Sequence, residues 1–258
     1  MKATLSVSLS GTSKEYIRRL RQAALHHRAV NHPYLQALSS AALPHHATAV
    51  TEFAEQYANY SGIFSQMLQT LEPALISEAH RGVIAENLSE ESGHYNFETL
   101  ETLADLGIKP QFFDGVPHHN LFMRFTRAVG GQPQPPSEPM RTWCESMLKM
   151  MAEPGGHAGV GALGLGTELI VPQIYRAIES ALTYLPHLST RDTVFFTLHG
   201  PVDSHHQEEL IELATELAAT PSDRRRIARG TFEALDHRAL FWDWLNQRAN
   251  VYLDKVAT

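Results

Sequence analysis

The sequence predicts an all-α fold, one bundle of about seven or eight helices in which residues 1–258 form a single domain. Two observations carry this reading. Apolar residues recur at three- and four-residue steps along nearly every long segment, and almost nothing alternates apolar with polar residues as a strand would. Helix start and stop signals bracket the periodic stretches. At 258 residues the chain is at the upper end of what a single hydrophobic core organises.

Thr12 and Glu15 have the spacing of a capping box ahead of Tyr16, Ile17 and Leu20, which predicts a first helix reaching about Val30. Pro33 suits the opening of a short second helix. The clearest stripe lies between about Ala47 and Leu71, where Val50, Phe53, Ala54, Tyr57, Phe64, Met67, Leu68 and Leu71 share one face. Pro73 offers another start, for a helical segment that continues past Glu91 until Gly107 and Pro110 stop it. Between Gly130 and Pro139 four prolines remove backbone donors, so this stretch is a surface loop within the domain. Ser137 is positioned to cap a helix carrying Trp143, Met147 and Met150, and a further helix is expected from about Gly156 to Leu185. Thr220, Pro221 and Asp223 supply a capping hydroxyl, a first-turn proline and a carboxylate at the positive end of the helix dipole. They begin a last helix ending near Leu253, with Ile227, Thr231, Ala234, Phe241, Trp244, Leu245 and Tyr252 as its apolar stripe. No internal repeat is present.

Composition narrows the function. Hydrophobic residues make up 43% and charged residues 19%, ordinary globular values, and no apolar run approaches the length of a membrane span. The start, with its alternating polar residues, does not read as a secretory signal, so a cytoplasmic location is expected. A net charge of −7 leaves no basic patch for a phosphate backbone, and Arg224 to Arg226 is too short a run to act as one. Neither nucleic acid nor a membrane is therefore an expected partner. Cys144 is the only cysteine, so any metal within one chain must be held by nitrogen and oxygen. Fifteen histidines is a high count, but many sit in exposed-looking pairs such as His118 and His119.

Three patterns could carry chemistry. In His199-Gly-Pro-Val-Asp203-Ser-His-His206, steps of four and seven place His199, Asp203 and His206 within ~60° of one another on a helix. Pro201 fits only a first turn or a kink, which would leave His199 on the end of the preceding segment. Glu91 and His94 form a Glu-x-x-His pair, a spacing that recurs in proteins where carboxylates bridge two cations. Glu90, one turn from His94, is an alternative to Glu91. Glu168 sits among Leu163, Leu165 and Leu169 to Val171, where an acid turned inward without a partner carries a heavy desolvation cost that a metal would remove. The nearby Gly159, Gly161, Gly164 and Gly166 lack the strand before and the Gly-Lys-Ser/Thr after that a phosphate loop needs; close helix packing or room for a substrate explains them better.

In this order and separation, the elements resemble the haem-oxygenase-like dimetal oxidases, relatives of the TenA and PQQ-synthase proteins. FAEQYANYSGIFSQML, ENLSEESGH, TELIVPQIY, FFTLHGPVDSHH and FWDWLN are similar to successive helices of that family, covering most of the chain from about Phe53. The resemblance implies a haem-oxygenase-like helical domain whose metal ligands are Glu91, His94, Glu168, His199, Asp203 and His206. It also implies two iron ions, with manganese as the alternative, that activate dioxygen against a small amino-acid- or fatty-acid-derived substrate. The outcomes known in the family are oxidative decarboxylation, N-oxygenation and carbon–carbon cleavage. Imidazole and carboxylate donors without thiolates suit such metals. A homodimer is a common state for soluble chains of this kind.

Other functions need other residues. A TenA-like thiamine-degrading hydrolase requires a nucleophilic cysteine, for which Cys144 is the one candidate. A haem protein requires an axial histidine such as His26 or His27, on a segment that reads as surface. A helical protein whose metal is only structural requires none of these.

Overall fold

In the computed structural model, which describes residues 7–105, 107–199 and 203–256 apart from the side chains of 203–205 and 251–256, helices account for nearly all ordered structure. They are α1 (Ser13–Leu25), α2 (Pro33–Ser39), α3 (His46–Leu71), α4 (Glu78–Glu91), α5 (Phe97–Asp105) and α6 (His118–Ala128). The second half holds α7 (Glu138–Met151), α8 (His157–Val160), α9 (Val171–Leu182), α10 (Thr190–Leu198), α11 (Asp203–Leu217) and α12 (Pro221–Val256). A π-helical stretch, Gly161–Glu168, joins α8 to α9. No strand occurs among the described residues, and none of their helices is long and apolar enough to cross a membrane.

The start signals hold at the level of atoms. Thr12 accepts from Glu15 N while Glu15 accepts from Thr12 N, the reciprocal box predicted for α1. Thr220 and Asp223 make the same exchange at the head of α12, and Ser189 with Asp192 repeats it at α10. Ser137 differs: α7 starts beside it, but its hydroxyl makes no cap, and its backbone N–H donates to Gln56 Oε1 at 2.7 Å. That bond, with Gln56 Nε2 on Pro135 O and Asn59 Nδ2 on Gln134 O, fastens the proline-rich loop to α3.

Helices outnumber the seven or eight expected because segments read as continuous are broken. The segment beyond Pro73 stops at Glu91 and resumes as α5, since Gly93 takes φ +87°. The stretch from Gly156 to Leu185 is α8, the π-helical turns and α9 in succession. α1 stops at Leu25, five residues short of the expected Val30.

α3 and α12 form the centre. α3 packs against α4, α6 and α7, while α12 packs along α7, α8 and the π-helical stretch. Phe53, Tyr57, Phe122, Trp143, Phe241 and Trp242 are fully buried between them, each contributing about 1.5–3 kcal/mol relative to exposure. The glycines of the π-helical stretch serve this packing: a Cβ on Gly161 would lie 2.2 Å from Ile227 O of α12, so only glycine lets the two backbones meet. Of the two readings left open for these glycines, close helix packing is the one observed.

Candidate metal centre

Five elements bring acids and imidazoles to one interior point. α4 ends in a Schellman motif, with Gly93 N on Glu90 O at 2.8 Å and His94 N on Ser89 O at 3.0 Å. The left-handed Gly93 allows this turn and brings α4's end against the backbone of Val116, so tightly that a Cβ would lie 2.6 Å from Val116 N. Glu90 and Glu91, the last two residues of α4, both turn inward. His94 does not join them. The Glu-x-x-His geometry assumes a helix continuing through position 94; the helix ends first, and His94 is exposed.

His118 occupies the place expected for His94. It lies in the first turn of α6, with Nδ1 2.9 Å from Glu91 Oε1 and Nε2 2.5 Å from the Tyr95 hydroxyl. His199, at the C-terminal end of α10, directs Nδ1 to Phe195 O at 2.5 Å. A carbonyl can only accept, so Nδ1 carries the proton and Nε2 presents its lone pair, the usual way a ligand histidine is oriented. Ligand atoms of Glu91, His118 and His199 all lie within 4.8 Å of one another. Next to them Glu90 Oε2 is 3.2 Å from His206 Nε2 of α11, both residues buried. Glu168, buried at the end of the π-helical stretch, faces the same point: it and Glu91 line one cavity with His199 and feel each other's charge.

Burial and mutual charge set the electrostatics of the cluster. Burial pushes the Glu168 carboxyl up, Glu91 pushes it further, to about 8, and Arg238 opposes both. Burial also raises Glu91, but the imidazoles of His118, His199 and His206 outweigh it and hold that carboxyl below its ordinary value. Burial first and His118 second bring His199 down to about 4, so its imidazole is neutral at physiological pH. Closely spaced buried acids beside imidazole nitrogens make a donor set that a divalent cation suits. The donor set, nitrogen and oxygen without sulfur, suits iron or manganese.

Of the sequence-derived ligands, Glu91, Glu168, His199 and His206 therefore meet. Asp203 is the first residue of α11, but its side chain lies outside the described residues, as does the backbone of Pro201. Glu90 and Glu91 are not alternatives, because each faces its own histidine. Sequence spacing does not point to His118 or Tyr95. The only local signal for His118 is a proline-initiated helix with an imidazole in its first turn.

The competing sites lack these properties. Burial pushes the Cys144 thiol up to about 12, the opposite of an activated nucleophile, and its sulfur lies 3.7 Å from Met140 Sδ. His26 is hydrogen-bonded to Gln22 O of its own helix, and His27 lies 3.4 Å from Asp236.

Residues 51–239 match the model of a protein family described as iron-containing redox enzymes. The chain belongs to that family. No curated protein matches its sequence. Among solved structures, a CADD-like protein of unknown function from Nostoc punctiforme PCC 73102 is similar at TM-score 0.70 and 18% identity, over 92% of this chain and 98% of that one. A TenA homologue from Pseudomonas syringae pv. tomato DC3000 gives 0.69 and 11%, over 96% and 98%. A domain of unknown function from Shewanella denitrificans OS217, described as having a haem-oxygenase-like fold, gives 0.68 and 14%, over 93% of each chain. At these identities the likeness establishes the haem-oxygenase-like fold of this family member and nothing about substrate.

Proposed function

We propose that this protein binds two iron ions between α4, α6, α10, α11 and the π-helical stretch and uses them to oxidise a small molecule with dioxygen. The observation that carries the reading is the convergence of Glu91, His118 and His199 within 4.8 Å, with the Glu90–His206 pair beside them. These five residues and Glu168 would hold the metal, with Asp203 as a further ligand. Bound iron would supply the one-electron chemistry that lets dioxygen react with closed-shell organic molecules.

The chain's own residues prepare the site. Phe195 O fixes the His199 tautomer and Tyr95 holds His118, so neither ring turns away from the metal position. Tyr57, Tyr60, Phe64, Val171, Tyr175 and Phe195 wall a cavity of about 30 Å³ around Glu91, Glu168 and His199. That volume admits a water or a diatomic molecule, and a substrate must displace side chains to enter. Burial of Glu91, Glu168 and His199 strengthens the charge interactions among them. The substrate class proposed is a small amino-acid- or fatty-acid-derived acid undergoing decarboxylation, N-oxygenation or carbon–carbon cleavage.

The test is anaerobic ferrous titration with elemental analysis. Wild type should retain close to two irons per chain, and Glu91→Ala and His199→Ala should each lose most of them while helix content stays unchanged. Oxygen consumption by the loaded wild type should be absent in both variants. Unchanged iron in both would refute the site.

A further inference from the structure

A second and far larger cavity lies between α3 and α6, beside the proline-rich loop. Its volume is about 860 Å³, within the range of small-molecule sites, and it shares no lining residue with the cavity around Glu91, Glu168 and His199. At about 100° per residue, His119, Met123, Arg124 and Arg127 lie on the face of α6 opposite His118 and Phe122, and they line this groove. The facing stripe of α3 contributes Ala58, Asn59, Gly62 and Ile63. At one end the helices meet where the His119 ring seats on Gly62, whose Cβ would lie 3.3 Å from His119 Cε1. At the other, Thr51 Oγ1 donates to Val129 O at 2.7 Å.

The charges in the groove are unbalanced. Glu55 is the only carboxylate among the lining residues, and its Oε1 accepts from Gln132 N at 3.0 Å. The same loop is pinned by Asn59 Nδ2 on Gln134 O at 3.2 Å, so the wall it forms is set before any ligand arrives. Arg124 donates through Nη1 to Phe112 O at 2.7 Å and to Arg191 O at 3.4 Å. These bonds hold the guanidinium in place while Nε and Nη2 make no hydrogen bond among the described residues. Arg127, one turn on, is exposed and makes none at all among them. The ion pairs made by arginines among the described residues belong to Arg28, Arg226, Arg229 and Arg248, and α6 carries no acid. Two guanidiniums three residues apart on one helix face repel each other.

We propose that this groove binds an organic oxyanion with an apolar body, a carboxylate or a phosphate ester, its anionic end on Arg124 and Arg127 and its body along Ala58, Ile63, Val116 and Met123. The planar guanidinium fork matches both head groups, and an oxyanion between the two arginines removes their repulsion. A concave wall focuses this local positive potential even on a chain whose net charge is −7. The inference does not rest on the metal reading, because none of the residues it uses is a proposed metal ligand.

The experiment titrates hexanoate, hexyl phosphate and the neutral 1-hexanol by calorimetry into the iron-loaded full chain. The proteins compared are wild type, Arg124→Gln, Arg127→Gln, His199→Ala and, as a charge control on α1 outside the groove, Arg21→Gln. Thermal midpoints are measured alongside, because Arg124→Gln also removes the bond to Phe112 O. Arg127→Gln removes no such bond and keeps the test decisive if Arg124→Gln unfolds. Wild type should bind at least one of the two anions, the tighter naming the head group, and bind hexanol more weakly than that anion. Loss of a charge-assisted hydrogen bond should weaken the anion on the order of tenfold in Arg124→Gln and Arg127→Gln. Arg21→Gln and His199→Ala should bind it as wild type does. No anion binding by wild type, or an equal loss in Arg21→Gln, would overturn the proposal. So would a loss confined to His199→Ala, since the anion would then sit on the metal. Should wild type take up no iron, the metal reading fails alone, and the same titrations still decide this one.

Discussion

Replacing Gly93 with alanine tests how α4 is aimed at the proposed metal centre. Gly93 has φ +87°, a region that costs an ordinary residue about 1–2 kcal/mol. A Cβ there would also lie 2.6, 2.7 and 2.8 Å from the N, C and O of Val116. All three are backbone atoms, so no side chain can swing aside; overpacking of this kind costs roughly 1–3 kcal/mol. The backbone bond from Gly115 N to Gly93 O, 3.0 Å long, would be strained as well, for about another 1 kcal/mol. Together these give about 3–6 kcal/mol, a large fraction of a typical domain's stability. Gly107 supplies the control: its φ is +81°, but a Cβ would meet nothing within 4 Å, so Gly107→Ala should cost only about 1–2 kcal/mol. Urea denaturation of both variants, with bound iron measured under native conditions, separates the terms. Gly93→Ala should be the less stable and should lose iron, because relieving the clash moves Glu90 and Glu91. Equal costs for the two substitutions, with iron retained in both, would refute the tight seating of α4 on Val116.

Two further outcomes are expected from the same geometry. The Thr220 hydroxyl and Arg226 hold the Asp223 carboxyl down at about 2, below its unfolded value near 4, so its ionised form stabilises the fold. That contribution is present above about pH 4 and lost as pH falls towards 2. Asp223→Asn should therefore cost about 1 kcal/mol at neutral pH and flatten this acid limb in a pH series of urea midpoints. A slope equal to wild type's would assign the acid sensitivity elsewhere. Cys144→Ala should leave iron content and oxygen consumption unchanged, since the partly buried thiol is held protonated and is not among the residues lining the proposed metal cavity. Loss of turnover with iron retained would revive a thiol mechanism.

The parts of this fold that were legible are those whose physics is local. The stripe from Val50 to Leu71, the box at Thr12 and the capping hydroxyl of Thr220 depend on residues three or four apart, and each occurs where the sequence places it. Glu168, read as an acid that apolar neighbours would make costly, is indeed buried. What failed to show is non-local. Glu91 meets His118 across 27 positions and a change of helix, a pairing for which no helical spacing exists. The Glu91–His94 spacing misled because it ignored Gly93, whose left-handed backbone ends α4 between them. Arg238 gave no warning either: an arginine in a polar-looking stretch of α12 ordinarily faces solvent, and only the rings of α3 and α7 reveal that this one does not.

The π-helical stretch also has a bearing on how this centre stays aligned. Thr167 donates its hydroxyl to Ala162 O, five positions back, and Leu169 N bonds Gly164 O at the same separation. Each wide turn holds an additional residue relative to an α-helix, and one residue corresponds to about 100° of rotation. The stretch thus sets the angular phase between the helices on either side of it. α8 can keep its contact with α12 while Glu168 looks into the cavity and α9 offers Tyr175 to the same space, an alignment that a uniform helix of this length would carry around the axis and out of reach.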